Sequence, residues 1–380
     1  MSEMRVYMDH SATTPVDPEV VEAMLPFFSE KFGNASSLHS FGQEAHEALD
    51  HSRKIITDKI NAKYTELIFT SGGTESDNLA LKGIAYALKD KGNHIITSAI
   101  EHPAILNSCR ALEERGYKVT YLNVDSEGFV DFNQLNNAIS KDTLLVSVMI
   151  ANNEIGTLQN LEEIGKICKD NDVLFHSDAV QGFTKVPIDV NRFNLDLMSI
   201  TAHKIHGPKG IGALYINEDI QKEKIKKLID GGSHEFNFRA GTENIPGIVG
   251  FAKAVEIAKI EHIKHMTKLR DKLITRILND ISDTHLNGPD IKTKGDKRLC
   301  NNANICFKYV EGEAILLRLD MDGIAVSTGS ACASGSSEPS HVLKAIGCAF
   351  QEGAHGAIRF SLGRENTDKE VENPKIQQEE

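Results

Sequence analysis

The chain reads as an α/β protein, with a large domain on a mainly parallel sheet flanked by helices and a smaller α+β domain beside it. Three observations predict this. From about residue 60 to 220, short β-branched runs alternate with helical stretches, the signature of βαβ units. A helical pattern rich in Ala, Ile, Lys and Glu then runs from Ile245 to Ile281 without a strand. After it strands and helices mix, and 380 residues exceed the roughly 250–300 that one core organises.

The elements follow in order. Glu66-Leu-Ile-Phe-Thr70 reads as a strand, Glu75 to Lys89 as a helix and His94-Ile-Ile-Thr-Ser98 as the next strand. Ala104 to Arg115 (helix), Lys118 to Leu122 (strand) and Thr143 to Met149 (strand) continue the series. A helix near Leu161 to Asp170 and strands at Val173–Ser177 and Leu195–Thr201 complete it. The Ile245–Ile281 helix is expected to link the domains. Beyond it come a strand at Asn304–Tyr309, a helix near Glu311 to Asp322, a glycine-bearing polar loop at Val326–Ser340, a helix from Pro339 and a strand at Ala357–Ser361. Glu365 to Glu380 is polar, without apolar period, and is expected to be disordered.

With 40% hydrophobic and 25% charged residues, disorder of the whole chain is excluded. The net charge of −12 argues against nucleic acid, whose phosphates call for a basic face. No apolar stretch approaches the ~20 residues of a membrane span, and Met1-Ser-Glu-Met-Arg-Val-Tyr7 lacks a signal pattern, so a cytoplasmic protein is expected. Cysteines stand at 109, 168, 300, 306, 332 and 348 with no Cys-x-x-Cys pair. Their spacing indicates neither a zinc site nor a disulfide framework, and no metal is expected. Most read as buried small hydrophobes; Cys332, inside the polar loop, differs.

Lys204 follows the apolar run Leu195–Thr201, so its amine emerges at a strand end, where α/β sheets bind ligands. A lysine after a strand is ordinarily solvated. Held out of water beside other cations, its pKa falls and it can form a Schiff base with a carbonyl. Thr70-Ser-Gly-Gly-Thr-Glu-Ser76 is a glycine turn opening a helix, which aims free N–H groups at an anion; Thr74 is the candidate phosphate ligand. Asp178 ends another buried strand, and a buried carboxylate requires a cationic partner, which a protonated pyridine nitrogen would satisfy. His102 stands just before Pro103 at a strand-to-helix junction, able to lie against a planar ring and to exchange protons. Singly each has a plain structural reading; together they meet the needs of pyridoxal phosphate.

These segments closely resemble the class V, fold-type I pyridoxal-phosphate enzymes, and specifically the cysteine desulfurases of the NifS/IscS group. The match runs from Met8-Asp-His-Ser-Ala-Thr-Thr-Pro15 to Ile358-Arg-Phe-Ser-Leu-Gly-Arg364 and includes Phe32-Gly-Asn34, Thr70–Asn78, Glu101-His102, Asn152–Gly156, Asp178–Gln181, His203-Lys204, Arg239–Thr242 and Ser327–Cys332. The resemblance implies a seven-stranded sheet, a large domain over 16–258, and a small domain of 1–15 and 259–364 carrying the Cys332 loop.

It also implies roles. Lys204 binds the cofactor aldehyde, Asp178 pairs with the ring nitrogen, Gln181 meets the ring hydroxyl and His102 stacks on the ring. Gly73, Thr74, Thr201 and His203 hold the phosphate, with Thr242 reaching it from the second subunit of a homodimer. Asn153 and Arg359 fix the substrate carboxylate, with Asn34 nearby. Cys332 attacks the sulfur of the bound L-cysteine, leaving alanine and a persulfide, with His102 accepting the thiol proton. The sulfur then passes to iron–sulfur cluster assembly or tRNA thiolation.

Two departures stand out. The proline usual after Asn34 is absent, and the chain past Arg364 is a short polar run where the group carries more helix and a scaffold-docking tail. Selenocysteine lyase, another reaction on this fold, and a catalytically idle assembly subunit are the competing readings. Cys332 disfavours an aminotransferase, which needs no thiol, and intact Lys204, Asp178, His102 and Cys332 disfavour the idle subunit.

Overall fold

The computed structural model describes residues 5–221, 224–328, 340–348 and 356–373; Cys332 and the segment around it lie outside these. The strands are β1 Val6–Tyr7, β2 Leu67–Thr70, β3 His94–Ser98, β4 Lys118–Leu122, β5 Thr143–Ser147, β6 Leu174–Asp178, β7 Leu197–Thr201, β8 Gly212–Ile216, β9 Thr284–Asn287, β10 Asn302–Phe307, β11 Ile324–Ala325 and β12 Ala357–Ser361. The central sheet is seven-stranded, in the order β2-β8-β7-β6-β5-β3-β4. Only β8 runs against its neighbours β2 and β7, so the sheet is mainly parallel.

Alternating side chains build a core on each face. Phe69, Ile96, Val146, Phe175, Met198 and Tyr215 pack one way with the helices Ser40–Ile60 and Ile245–Glu256. Their neighbours Ile68, Ile95, Leu145, Leu174, Leu197 and Leu214 pack the other way with Gly73–Ala87 and Pro103–Glu113. Burial on both faces explains why these strands read as near-continuous apolar runs.

A second sheet, β12-β10-β9, is antiparallel. It packs with helix Ile260–Asp280 and with Val6 and Met8 of the N-terminal segment. Asp9 bridges to Ser361, so the start of the chain joins the C-terminal sheet.

Three expectations are corrected. The single helix expected over Ile245–Ile281 is two, Ile245–Glu256 and Ile260–Asp280. Lys259 between them is extended, at φ −118° and ψ 153°, because the first helix packs on the large sheet's core and the second on the small one. The expected disorder from Glu365 does not hold as far as residue 373. Thr367 and Glu370 cap each other's backbone over helix Asp368–Val371, Val371 is buried, and Lys272 donates to Asp368 at 2.8 Å and to Glu372 at 2.5 Å. Residues 374–380 lie outside the described ones. Finally, β8 and helix Ser40–Ile60 have no counterpart in the expectations: the helix's inner face includes Ser52, Arg53 and Thr57, which blur its apolar period. Among the described residues no helix is long and apolar enough to cross a membrane.

Candidate active site

A cavity of about 550 Å³ opens where β2, β6 and β7 end, the edge at which open α/β sheets bind ligands. Gly73, Thr74, His102, Asn153, Asp178, Gln181, Thr201, His203, Lys204 and Arg359 all line it. Asn34 does not: it is exposed, and its Oδ1 accepts from the Ser36 N–H at 2.9 Å, a local turn. Thr242 is exposed and not among the residues lining this cavity.

Lys204 is positioned by the N-terminal segment. Its Nζ donates to the Ser11 carbonyl and, at 2.6 Å, to the Ala12 carbonyl. Thr14 Oγ1 donates to the His203 carbonyl at 3.0 Å and accepts from His206 N at 2.8 Å, locking the turn after β7. Burial, then the charges of Arg359 and Lys185, lower the Lys204 pKa to about 7. His203, whose Nδ1 lies 3.2 Å from Thr13 Oγ1, is pushed to about 4, chiefly by burial and then by Lys204. Lys185 close by is lowered to about 8 by burial.

The glycine turn supplies an uncapped helix start. Gly72 adopts φ +154°, a conformation that suits glycine, and gives helix Gly73–Ala87 no side-chain cap. A Cβ on Gly73 would lie 2.7 Å from Val180 Cγ2, so only glycine lets the turn sit so close to the end of β6. Thr201 Oγ1 donates to the Ile211 carbonyl at 3.1 Å and must turn from it to donate to a phosphate.

Asp178 accepts from Val180 N at 2.9 Å. Desolvation nonetheless raises its pKa, against the lowering by His102 and Lys204, so the carboxylate lacks a full counter-charge. Gln181 Nε2 donates to the Ser11 carbonyl at 2.9 Å, while its buried Oε1 has no partner among the described residues. His102 caps helix Pro103–Glu113: its Nδ1 accepts from Ala104 N at 3.1 Å, which leaves the proton of the neutral ring on Nε2. Burial lowers its pKa. The proton-accepting role expected of His102 therefore requires the ring to release this cap.

Arg359 Nη2 donates to Asp9 Oδ1 at 2.8 Å and Nη1 to the Asn153 carbonyl at 3.1 Å, which brings the two expected carboxylate ligands together. Four residues were missed. Asp77, one helical turn past Gly73, lines the cavity fully buried, its pKa raised well above the usual range by burial and by Asp178. His176 beneath it lies between Ser147 Oγ and Ser199 Oγ at 2.9 and 3.0 Å. Glu101, held by Ser98 Oγ at 2.6 Å and Met149 N at 2.9 Å, is pushed to about 8 by burial. His341 lines the cavity and donates from Nε2 to the Glu101 carbonyl at 2.9 Å. The i, i+4 spacing of Gly73 and Asp77 signals the first; the others need the fold.

The cavity thus asks for opposite things: an anion for the crowded cations and the uncapped helix start, a cation for Asp178, and a donor for Gln181. Pyridoxal phosphate carries an aldehyde, a phosphate, a protonatable ring nitrogen and a ring hydroxyl, so the residues present fit it. The aminotransferase class-V profile matches residues 6–373, and the chain belongs to that family of enzymes. Within it the chain is a member of the cysteine desulfurases of the NifS/IscS group. It is 53% identical to the cysteine desulfurase IscS of Dictyoglomus turgidum over 96% of this chain and 91% of that one. To the IscS of Methanosarcina thermophila it is 53% identical over 97% and 89%. Among solved structures, a NifS-like protein superposes with TM-score 0.90 at 40% identity, covering 98% of each chain. SspA in complex with cysteine matches with TM-score 0.84 at 37% identity, covering 96% of this chain and 100% of the other.

Proposed function

We propose that the protein removes sulfur from L-cysteine, giving L-alanine and a persulfide on Cys332, with pyridoxal 5'-phosphate held in the cavity. The carrying observation is the pairing of an undercharged buried carboxylate, Asp178, with a lysine lowered to about 7 in one cavity. When bound, the cofactor supplies an electron sink for the substrate's α-carbon. Lys204 anchors its aldehyde, Asp178 its ring nitrogen, Gln181 Oε1 its hydroxyl, and Gly73, Thr74, Thr201 and His203 its phosphate, with Thr242 contributed across a homodimer.

Arg359, braced by Asp9 and the Asn153 carbonyl, binds the substrate carboxylate. Lys204, near neutrality once freed, takes the α-proton. His102 presents its face and an Nε2–H donor. Cys332 is the nucleophile as thiolate, and its persulfide serves iron–sulfur cluster assembly or tRNA thiolation in the cytoplasm. The relatives named cysteine desulfurase support this reading, as does the cysteine bound to SspA. The test is Cys332→Ala: sulfide release from L-cysteine should vanish while the cofactor's visible absorbance stays, and undiminished release would remove the persulfide step.

A further inference from the structure

Three residues that the reaction does not use converge in the small domain. His285 on β9 and Cys306 on β10 are direct cross-strand partners, and such neighbours project from the same face of a sheet. Cys348 reaches them from another direction. It follows helix His341–Ala345, and Gly347, at φ +78°, reverses the chain there at little cost.

We propose that His285, Cys306 and Cys348 form a binding site for a soft divalent cation of the zinc class. Their ligand atoms all lie within 4.8 Å of one another, and Cys348 Sγ stands 3.7 Å from His285 Nε2. Zinc bonds of about 2.3 Å to sulfur and 2.1 Å to nitrogen set tetrahedral S···N separations of about 3.6 Å, so little movement closes the site. Both cysteines are buried and His285 is half-buried, which leaves a fourth position open to water. A wholly apolar cluster would have no use for the imidazole, whereas two thiolates and an imidazole suit zinc. Fold, rather than spacing, assembles the set: the sequence separates the cysteines and shows no Cys-x-x-Cys.

The site has a mechanical consequence. The short segment carrying Cys348 begins with His341, which lines the catalytic cavity and holds the Glu101 carbonyl. A cation there pins that segment to the β9–β10 pair.

Reduced holoenzyme is dialysed with zinc chloride, then against a weak chelator. One retained equivalent is expected, with a zinc-edge X-ray absorption spectrum showing two sulfur scatterers at about 2.3 Å. Cys306→Ser and Cys348→Ser should each bind at least tenfold more weakly, and Cys332→Ser should bind unchanged; circular dichroism confirms that each variant is folded. Retention of no zinc by the wild type, a spectrum with oxygen and nitrogen ligands only, or loss of zinc only in Cys332→Ser would overturn the site.

Discussion

Arg359 Nη2 donates to Asp9 Oδ1 at 2.8 Å, so a residue of the last strand is held in the cavity by one near the start of the chain. Both are shielded from water, and the bond is charge-assisted. Losing one partner of such a bond costs about 1.5–3 kcal/mol. Because Asp9 orients Arg359 without being expected to touch the reacting atoms, Asp9→Asn should raise KM for L-cysteine roughly tenfold or more and leave kcat within a few-fold. Steady-state alanine formation separates the two, and an unchanged KM would show that Arg359 does not need this brace.

Lys204 sets a pH dependence. Only the neutral amine attacks an aldehyde, and burial, with Arg359 and Lys185, brings its pKa down to about 7. The rate at which apoprotein takes up pyridoxal phosphate should therefore rise about tenfold per pH unit up to roughly 7 and level off above it. Arg359→Gln removes a cation that lowers the pKa, so the inflection moves to higher pH. Stopped-flow absorbance reads both; an inflection near that of an ordinary lysine would mean that the amine is solvated.

The large sheet was legible because its strands are buried on both faces and punctuated by helices. Lys204, Asp178, His102 and Thr74 were legible as cavity residues because each ends or closely follows a strand. What escaped depends on contacts distant in sequence. Glu101 is held not only by nearby Ser98 but by Met149, and its carbonyl by His341, while His176 depends on Ser147 and Ser199; those distant partners appear only in the fold. Asn34, expected near the substrate, instead has its side chain in its own turn and off the cavity lining. The interruption before Ile260 carries no glycine or proline, because two separate cores impose it.

The segment after Arg364 makes a stability prediction. Val371 is 2% exposed within the core beside the β12-β10-β9 sheet, and each buried methylene is worth about 0.8 kcal/mol. Val371→Ala should therefore cost about 1.5 kcal/mol in urea unfolding without altering KM. Lys369→Ala, on the same short helix, carries no such burial and should be near neutral. Equal and negligible effects would return the segment to the disorder its composition suggests.

His102 carries two duties that substitution can separate. Its Nδ1 caps helix Pro103–Glu113 through Ala104 N, a bond typically worth about 1 kcal/mol. Its ring also faces the cavity. Asparagine is a good cap but offers no aromatic face, so His102→Asn should unfold near the wild-type urea midpoint and still lose at least tenfold in kcat. His102→Ala should lose the cap as well, about 1 kcal/mol of stability. If the ring served only as a cap, His102→Asn would retain full turnover. If His102 accepts the Cys332 proton at Nδ1, release of the cap is part of the cycle, and amide exchange at Ala104 should quicken when L-cysteine is added.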